Sequence, residues 1–164
     1  MIVETERLSL SETQTSDAPF ILKLLNDPGF IQNIRDEGVT TIKEVEAHIA
    51  EKYSKSYQTN GFGMYLVTVK SSGEPVGVCG IVKRDTLDCP DVGYAFLTEF
   101  AGLGYASESA KAVMAYGANQ LGIKRIVGIT SADNKASIKI LEKLGLKFDS
   151  VIATSDGETL LFVP

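Results

Sequence analysis

Positive charge is scarce and scattered in this chain. Sixteen Lys and Arg face 21 Asp and Glu, for a net charge of −5, and no arginine-rich stretch or basic block occurs. Nucleic acid is therefore not an expected partner. No apolar run approaches the length that spans a bilayer, and the opening "MIVETERLSL" carries acids where a secretory signal has basic residues. These absences point to a cytoplasmic protein without a membrane partner. There are only two cysteines, Cys79 and Cys89, and one histidine, His48. That set makes no disulfide framework and no zinc site, so no metal is expected. Cys79, inside "VGVCGIV", reads as a packed core residue; Cys89, in "LDCPD", falls in a loop. Linkers, repeats and low-complexity segments are also missing.

What is present is the balance of a globular domain. Of 164 residues, 44% are apolar and 23% charged, enough for one domain, residues 1–164, around a real core. Leu8 and Leu10 alternate with polar residues and suggest a first strand. Phe20, Ile21, Leu24 and Leu25 recur at helical spacing behind Ser16 as N-cap, and "DPGF" ends that helix. Thr41 and Glu44 form a capping-box pattern that opens a second helix reaching about Tyr57, with Ile42, Val45, Ile49 and Tyr53 on one face.

"FGMYLVTV" and "PVGVCGIV" flank the turn "SSGEP" as a hairpin, and "PDVGYAFLTEF" is a third strand in succession. A helix over "YASESAKAVMAYGANQLG" closes at Gly122. "KRIVGITS" is a strand. "NKASIKILEKLG" is a short helix with Asn134 as cap and Gly145 as stop. A last hairpin turns at Asp156-Gly157. The order β-α-α-β-β-β-α-β-α-β-β describes an α/β (α+β) domain with a mixed, mostly antiparallel sheet flanked by about four helices.

Gly102 and Gly104 stand between the third consecutive strand and a helix. A strand that turns through two glycines into a helix leaves unpaired N–H groups at the positive end of the helix dipole, an arrangement suited to a diphosphate. The plain alternative is a tight strand–helix connection packed on the sheet. No Gly-Lys-Ser/Thr follows, which excludes the nucleotide-binding P-loop. The dinucleotide pattern needs Gly at 107, where Ser107 stands, and such folds place that turn near their beginning. Coenzyme A is the third ligand whose diphosphate is held by backbone amides.

The run Ala101-Gly102-Leu103-Gly104-Tyr105-Ala106 resembles motif A of the GNAT superfamily of acetyl-CoA-dependent N-acetyltransferases, Q/R-x-x-G-x-G/A. "GLGYASESA" is close to the "GkGyAtEA" of the branch that acetylates protein N-termini, ribosomal ones included. "DNKASIKILEKLGLKF" and "ETERLSL" resemble that branch's second motif and its opening, in the same order. Ala101 stands where the family often has Gln or Arg, and Ser11 replaces an Arg after the first strand.

The resemblance implies an acyl-CoA N-acyltransferase fold. It also implies acetyl-CoA as co-substrate and a primary amine as acceptor, either a protein N-terminus or a small molecule, in a monomer or homodimer. On that reading the pantetheine arm pairs with Phe96, Leu97 and Thr98, and the N–H near Leu97 is the oxyanion donor. The diphosphate meets the amides of Gly102, Leu103, Gly104, Tyr105 and Ala106, with Ser107 adding its hydroxyl. Asn134 hydrogen-bonds the cofactor besides capping its helix.

Many superfamily members protonate the leaving thiolate with a Tyr where Leu141 stands here; Ser137 is what the N-terminal-acetylating branch offers instead. Glu99 is placed as general base or as an ordinary surface acid, and a chain of waters is the alternative base. His48, beside Ala47 and Ile49, reads as packed, and Glu108 as a complement to the helix dipole. Phe30, Ile34 and Arg35 line the expected acceptor entrance. The other reading is a non-catalytic coenzyme A-binding regulatory module, which the missing Tyr and the unmarked base leave open.

Overall fold

The computed structural model describes residues 1–154 and 157–164. Strand β2 (Leu8–Glu12) buries Leu8 and Leu10 completely and pairs antiparallel with β3 (Met64–Val69). Strand β1 (Val3–Glu4) adds a two-residue edge to β2. β4 (Pro75–Val82) and β5 (Asp91–Phe96) extend the antiparallel sheet in the order β1-β2-β3-β4-β5. Val67 lies opposite Gly77 and Thr68 opposite Pro75, so Val76 is the extra residue of a β-bulge. A second sheet has the order β6-β8-β7, from β6 (Gly128–Thr130), β7 (Lys147–Thr154) and β8 (Gly157–Val163).

Among the described residues, backbone hydrogen bonds join the two sheets at one place. Val92 N–H donates to Val127 O at 2.9 Å and Val127 N–H to Pro90 O at 3.0 Å, a parallel bridge at the start of β5. Beyond it β5 and β6 share no ladder among the described residues. The sheet therefore splits toward the C-terminal end of β5, and a backbone edge is left open there.

Helices cover both faces. On one, α1 (Ala18–Leu25) and α3 (Ile42–His48) bury Ile21, Leu24 and Val45 against Val78 and Leu97. On the other, α5 (Tyr105–Asn119) and α6 (Lys135–Lys143) bury Ala110, Val113 and Leu141 against Leu10, Cys79 and Ile81. Among the described residues no helix is long and apolar enough to cross a membrane.

The expected element order holds, with additions. "DPGF" does not merely stop a helix. Asp27 Oδ1 accepts from Gly29 N–H at 2.9 Å and Pro28 is the first residue of a short helix, α2 (Pro28–Asn33). Proline lacks only an N–H that a first turn leaves unpaired. The helix opened by Thr41 continues through a π-type turn, Ile49–Ser54, into α4 (Lys55–Asn60) and ends at Asn60, three residues past the expected Tyr57, with Gly61 as its cap. Thr41 is its N-cap: Glu44 N–H donates to Thr41 Oγ1 at 3.2 Å, while Glu44 Oε1 accepts from the Thr41 hydroxyl at 2.9 Å and from Thr40 N–H at 3.5 Å rather than from Thr41 N–H. Ser16 is not the cap of α1; it lies within a 3₁₀ turn, Thr15–Asp17. Of the expected final turn, Asp156 lies outside the described residues.

Candidate functional site

After Phe96 the chain makes a 3₁₀ turn, Thr98–Phe100, and then two left-handed glycines, Gly102 (φ 80) and Gly104 (φ 82), before α5 begins. A side chain is strained at either φ, so both positions favour glycine. Ala101 N–H closes the 3₁₀ turn on Thr98 O at 3.0 Å, and Glu108 N–H makes the first bond of α5, to Gly104 O at 3.0 Å. Between them, the N–H groups of Gly102, Leu103, Gly104, Tyr105, Ala106 and Ser107 meet no protein acceptor among the described residues. They converge at the positive end of a 15-residue helix.

One flank of this cradle comes from the chain's beginning. Arg7 lies over the Tyr105 ring, 4.7 Å from its centroid, and a β-carbon added to Gly104 would sit 3.4 Å from Arg7 Nη2. Beside it is a pocket of about 410 Å³ lined by Glu6, Arg7, Val69, Lys70, Ser71 and Tyr105. Arg7 pairs with Glu108 at 2.8 Å, so the cations Arg7 and Lys70 are matched by Glu6 and Glu108. Those four side chains therefore add no net positive charge at this place.

The parity of β5 decides which groups face the split. Val92 N–H points to β6, so the main-chain groups of Tyr94 and Phe96 point the same way, along the open edge. Leu97 has the opposite parity. Its N–H donates to Val76 O at 3.1 Å, its carbonyl accepts from Phe100 N–H at 3.0 Å, and its side chain is 2% exposed. The expected oxyanion donor is thus engaged within the sheet. Thr98 is engaged as well: its N–H and Oγ1 both donate to Asp27, at 3.1 and 2.5 Å. Of the three residues expected along the pantetheine arm, only Phe96 presents main-chain groups to the opening.

Across the split, Asn134 caps α6 by accepting from Ser137 N–H at 3.2 Å. Its side-chain oxygen is engaged there. Its amide hydrogens meet no protein acceptor among the described residues. Ser137 is 7% exposed, and its Oγ lies 2.8 Å from the Tyr94 hydroxyl. Burial pushes the Tyr94 phenol up to about 12, though the Ser137 contact pulls the other way.

Residues 7–147 match the family model described as the Acetyltransferase (GNAT) domain. The chain belongs to the GNAT acetyltransferase family. It is similar to the uncharacterized protein YkkB of Bacillus subtilis (strain 168), 29% identical over 154 residues that cover 90% of this chain and 86% of YkkB. It is also similar to the uncharacterized N-acetyltransferase p20 of Bacillus licheniformis, 26% identical over 151 residues, 90% of this chain and 83% of p20. In fold it resembles RimL, a ribosomal L7/L12 alpha-N-protein acetyltransferase solved in complex with coenzyme A. The TM-score is 0.86 at 21% identity, over 99% of this chain and 96% of RimL.

The remaining residues singled out in this GNAT chain fall on the α1–α2 side. Glu99 is at the surface, ion-paired with Lys23 at 2.9 Å. Phe30 packs on the second core, Ile34 is exposed, and Arg35 pairs with Glu37 at 3.5 Å. Phe30 belongs to α2, Ile34 is its C-cap and Arg35 is the next residue, whereas Glu99 belongs to the turn after β5. Asp27 is the residue the sequence did not flag. It ties α2 to the exit of β5, and although burial pulls its carboxyl upward, bonds from Thr98, Gly29 and Phe30 hold it below the usual range.

His48 stacks edge-on to Tyr53, and burial lowers its pKa, a structural setting. Burial pushes the Cys79 thiol up to about 12 and so suppresses its reactivity. No group of three or more His, Cys, Asp or Glu is gathered to hold a metal among the described residues. Tyr94 was also missed. Its only sequence signal is an aromatic in a strand, which reads as core.

Proposed function

We propose that this GNAT acetyltransferase moves the acetyl group of acetyl-CoA to a primary amine by direct attack on the thioester. The observation that carries the reading is the row of amides from Gly102 to Ser107 without a protein acceptor among the described residues, which follows the open-edged strand β5 in the chain. Those donors suit a diphosphate. The outward main-chain groups of Tyr94 and Phe96 suit the amides of a pantetheine arm, added like a strand to the open edge. Phe96 N–H, not Leu97 N–H, is the oxyanion donor on this reading.

The bookkeeping of the step is simple. The amine nitrogen bonds to the carbonyl carbon, the C–S bond breaks, and the amine proton leaves to water. Ser137 gives its hydroxyl proton to the departing thiolate and is reprotonated from solvent. Glu99 lies at the surface in an ion pair with Lys23, so deprotonation is assigned to water. Asn134 adds amide donors at the same opening. The acceptor approaches past Phe30, Ile34 and Arg35. RimL's protein acceptor makes peptides with free N-termini the first probes, and polyamines the second.

The test incubates the protein with acetyl-CoA and both sets of amines and follows free thiol. Thiol release with at least one amine is expected. Saturable coenzyme A binding with no release across the panel would instead establish the non-catalytic coenzyme A module.

A further inference from the structure

The Tyr94 hydroxyl approaches two atoms of one residue. It lies 2.8 Å from Ser137 Oγ and 3.2 Å from Ser137 O. Tyr94 is on β5, one wall of the split, and Ser137 is on α6, which packs beside β6. The carbonyl can only accept, so Tyr94 O–H is the donor at 3.2 Å; sharing that one proton with the nearer Oγ in a three-centre bond makes Tyr94 the donor in both contacts. In that arrangement the Ser137 proton is not spent on Tyr94 and is left for another acceptor.

We infer that Tyr94 is a positioning residue that fixes the rotor of the Ser137 hydroxyl so that its proton is presented to the leaving thiolate. This rests on the acetyl-transfer reading and adds a residue to it. Burial supports the assignment in two ways. Ser137 is 7% exposed, so water cannot easily replace the phenol as its partner. The raised Tyr94 pKa keeps the phenol protonated across the working range, so it remains a donor. Tyr94 does not itself yield a proton: it orients, and Ser137 transfers.

The experiment compares wild type, Tyr94→Phe, Ser137→Ala and the double variant, each with acetyl-CoA and the best amine of the panel. Tyr94→Phe keeps the ring in the core and removes only the hydroxyl. Its kcat is expected to fall about 10-fold, a fraction of what general acid catalysis supplies, with KM for acetyl-CoA and the calorimetric Kd for coenzyme A unchanged. In the Ser137→Ala background the same change is expected to cost nothing further. Thermal unfolding of every variant checks that the folds are intact.

A folded Tyr94→Phe with wild-type kcat overturns the inference alone. So does a loss that multiplies with that of Ser137→Ala, because Tyr94 would then act independently. A wild type that releases no thiol with any amine overturns the acetyl-transfer reading, and this inference with it.

Discussion

Arg7 Nε and Nη2 both lie 2.8 Å from Glu108 Oε1, a bond across 101 positions of sequence. Thr5 Oγ1 and Arg7 N–H hold the other carboxylate oxygen at 2.5 and 3.1 Å. Glu108 thus does more than complement the dipole of α5. It locks the segment before β2 onto the first turn of the helix that carries the cradle, joining two motifs that the sequence keeps far apart.

Removing that carboxylate should loosen the lock. Glu108→Ala is expected to lower stability by about 1 kcal/mol, since Arg7 is partly exposed and screened. That is a drop of about 3 °C in Tm for a chain of this size. Burial pulls the Glu108 pKa up, but bonds from Thr5 and Arg7 outweigh it and hold the value below the usual range. A depressed carboxylate stabilises above its unfolded pKa and loses that contribution as pH falls. The gap between wild type and variant in thermal unfolding should therefore narrow from pH 7 toward pH 3; a constant gap would refute the lock.

The cradle itself offers a sharper test. Gly104→Glu puts a side chain and a negative charge where the unpaired amides converge. Gly122→Glu introduces the same residue at a glycine of similar φ, 67 against 82, with open space around it and no cradle. Both should incur a comparable backbone strain of about 1 kcal/mol. Only Gly104→Glu should abolish coenzyme A binding by calorimetry. Equal affinity in the two folded variants would count against an anion site at this turn.

These glycines were legible because a positive φ is a requirement that residue type alone can announce. The same holds for Thr41 with Glu44 and for Asn134, whose partners lie three residues away. What was illegible depends on parity or on distance. Whether Leu97 or Phe96 faces the split turns on which residue of β5 first bonds Val127, and no local pattern states that. Tyr94 and Ser137 meet across 43 positions, and each reads alone as a core aromatic and a helix serine. Asp27-Pro28 misled for another reason: the same pair ends one helix and begins the next.

The join between the sheets carries a titration of its own. Asp91 is 1% exposed and pairs with Arg84 at 2.9 Å, at the bridge where β5 meets Val127. Burial pushes its carboxyl up to about 6, with Arg84 opposing only in part. A raised carboxylate favours folding below its unfolded pKa, and that advantage disappears as pH rises through the folded value. Asp91→Asn is neutral throughout. Wild type should therefore be most stable relative to Asp91→Asn near pH 4 and lose on the order of 2 kcal/mol of that margin by pH 7. Thermal unfolding of the pair at several pH values reads this directly, and a margin that grows with pH would reverse the assignment.

Packing at the far wall of the split sets how α6 sits. A β-carbon built on Gly128 of β6 would lie 2.4 Å from Leu141 Cδ2, and Leu141 is buried in the core. Gly128→Ala is accordingly expected to destabilise by about 2 kcal/mol through overpacking. It should also displace the helix that carries Asn134 and Ser137, lowering kcat more than thermal stability alone explains. Shortening the opposing side chain relieves the clash. Gly128→Ala with Leu141→Val should be less destabilised than the sum of the two single changes by about 1 kcal/mol, the coupling expected of residues in contact. Strict additivity in chemical denaturation would show that Leu141 does not hold α6 against β6, and the link from this contact to Ser137 would fall.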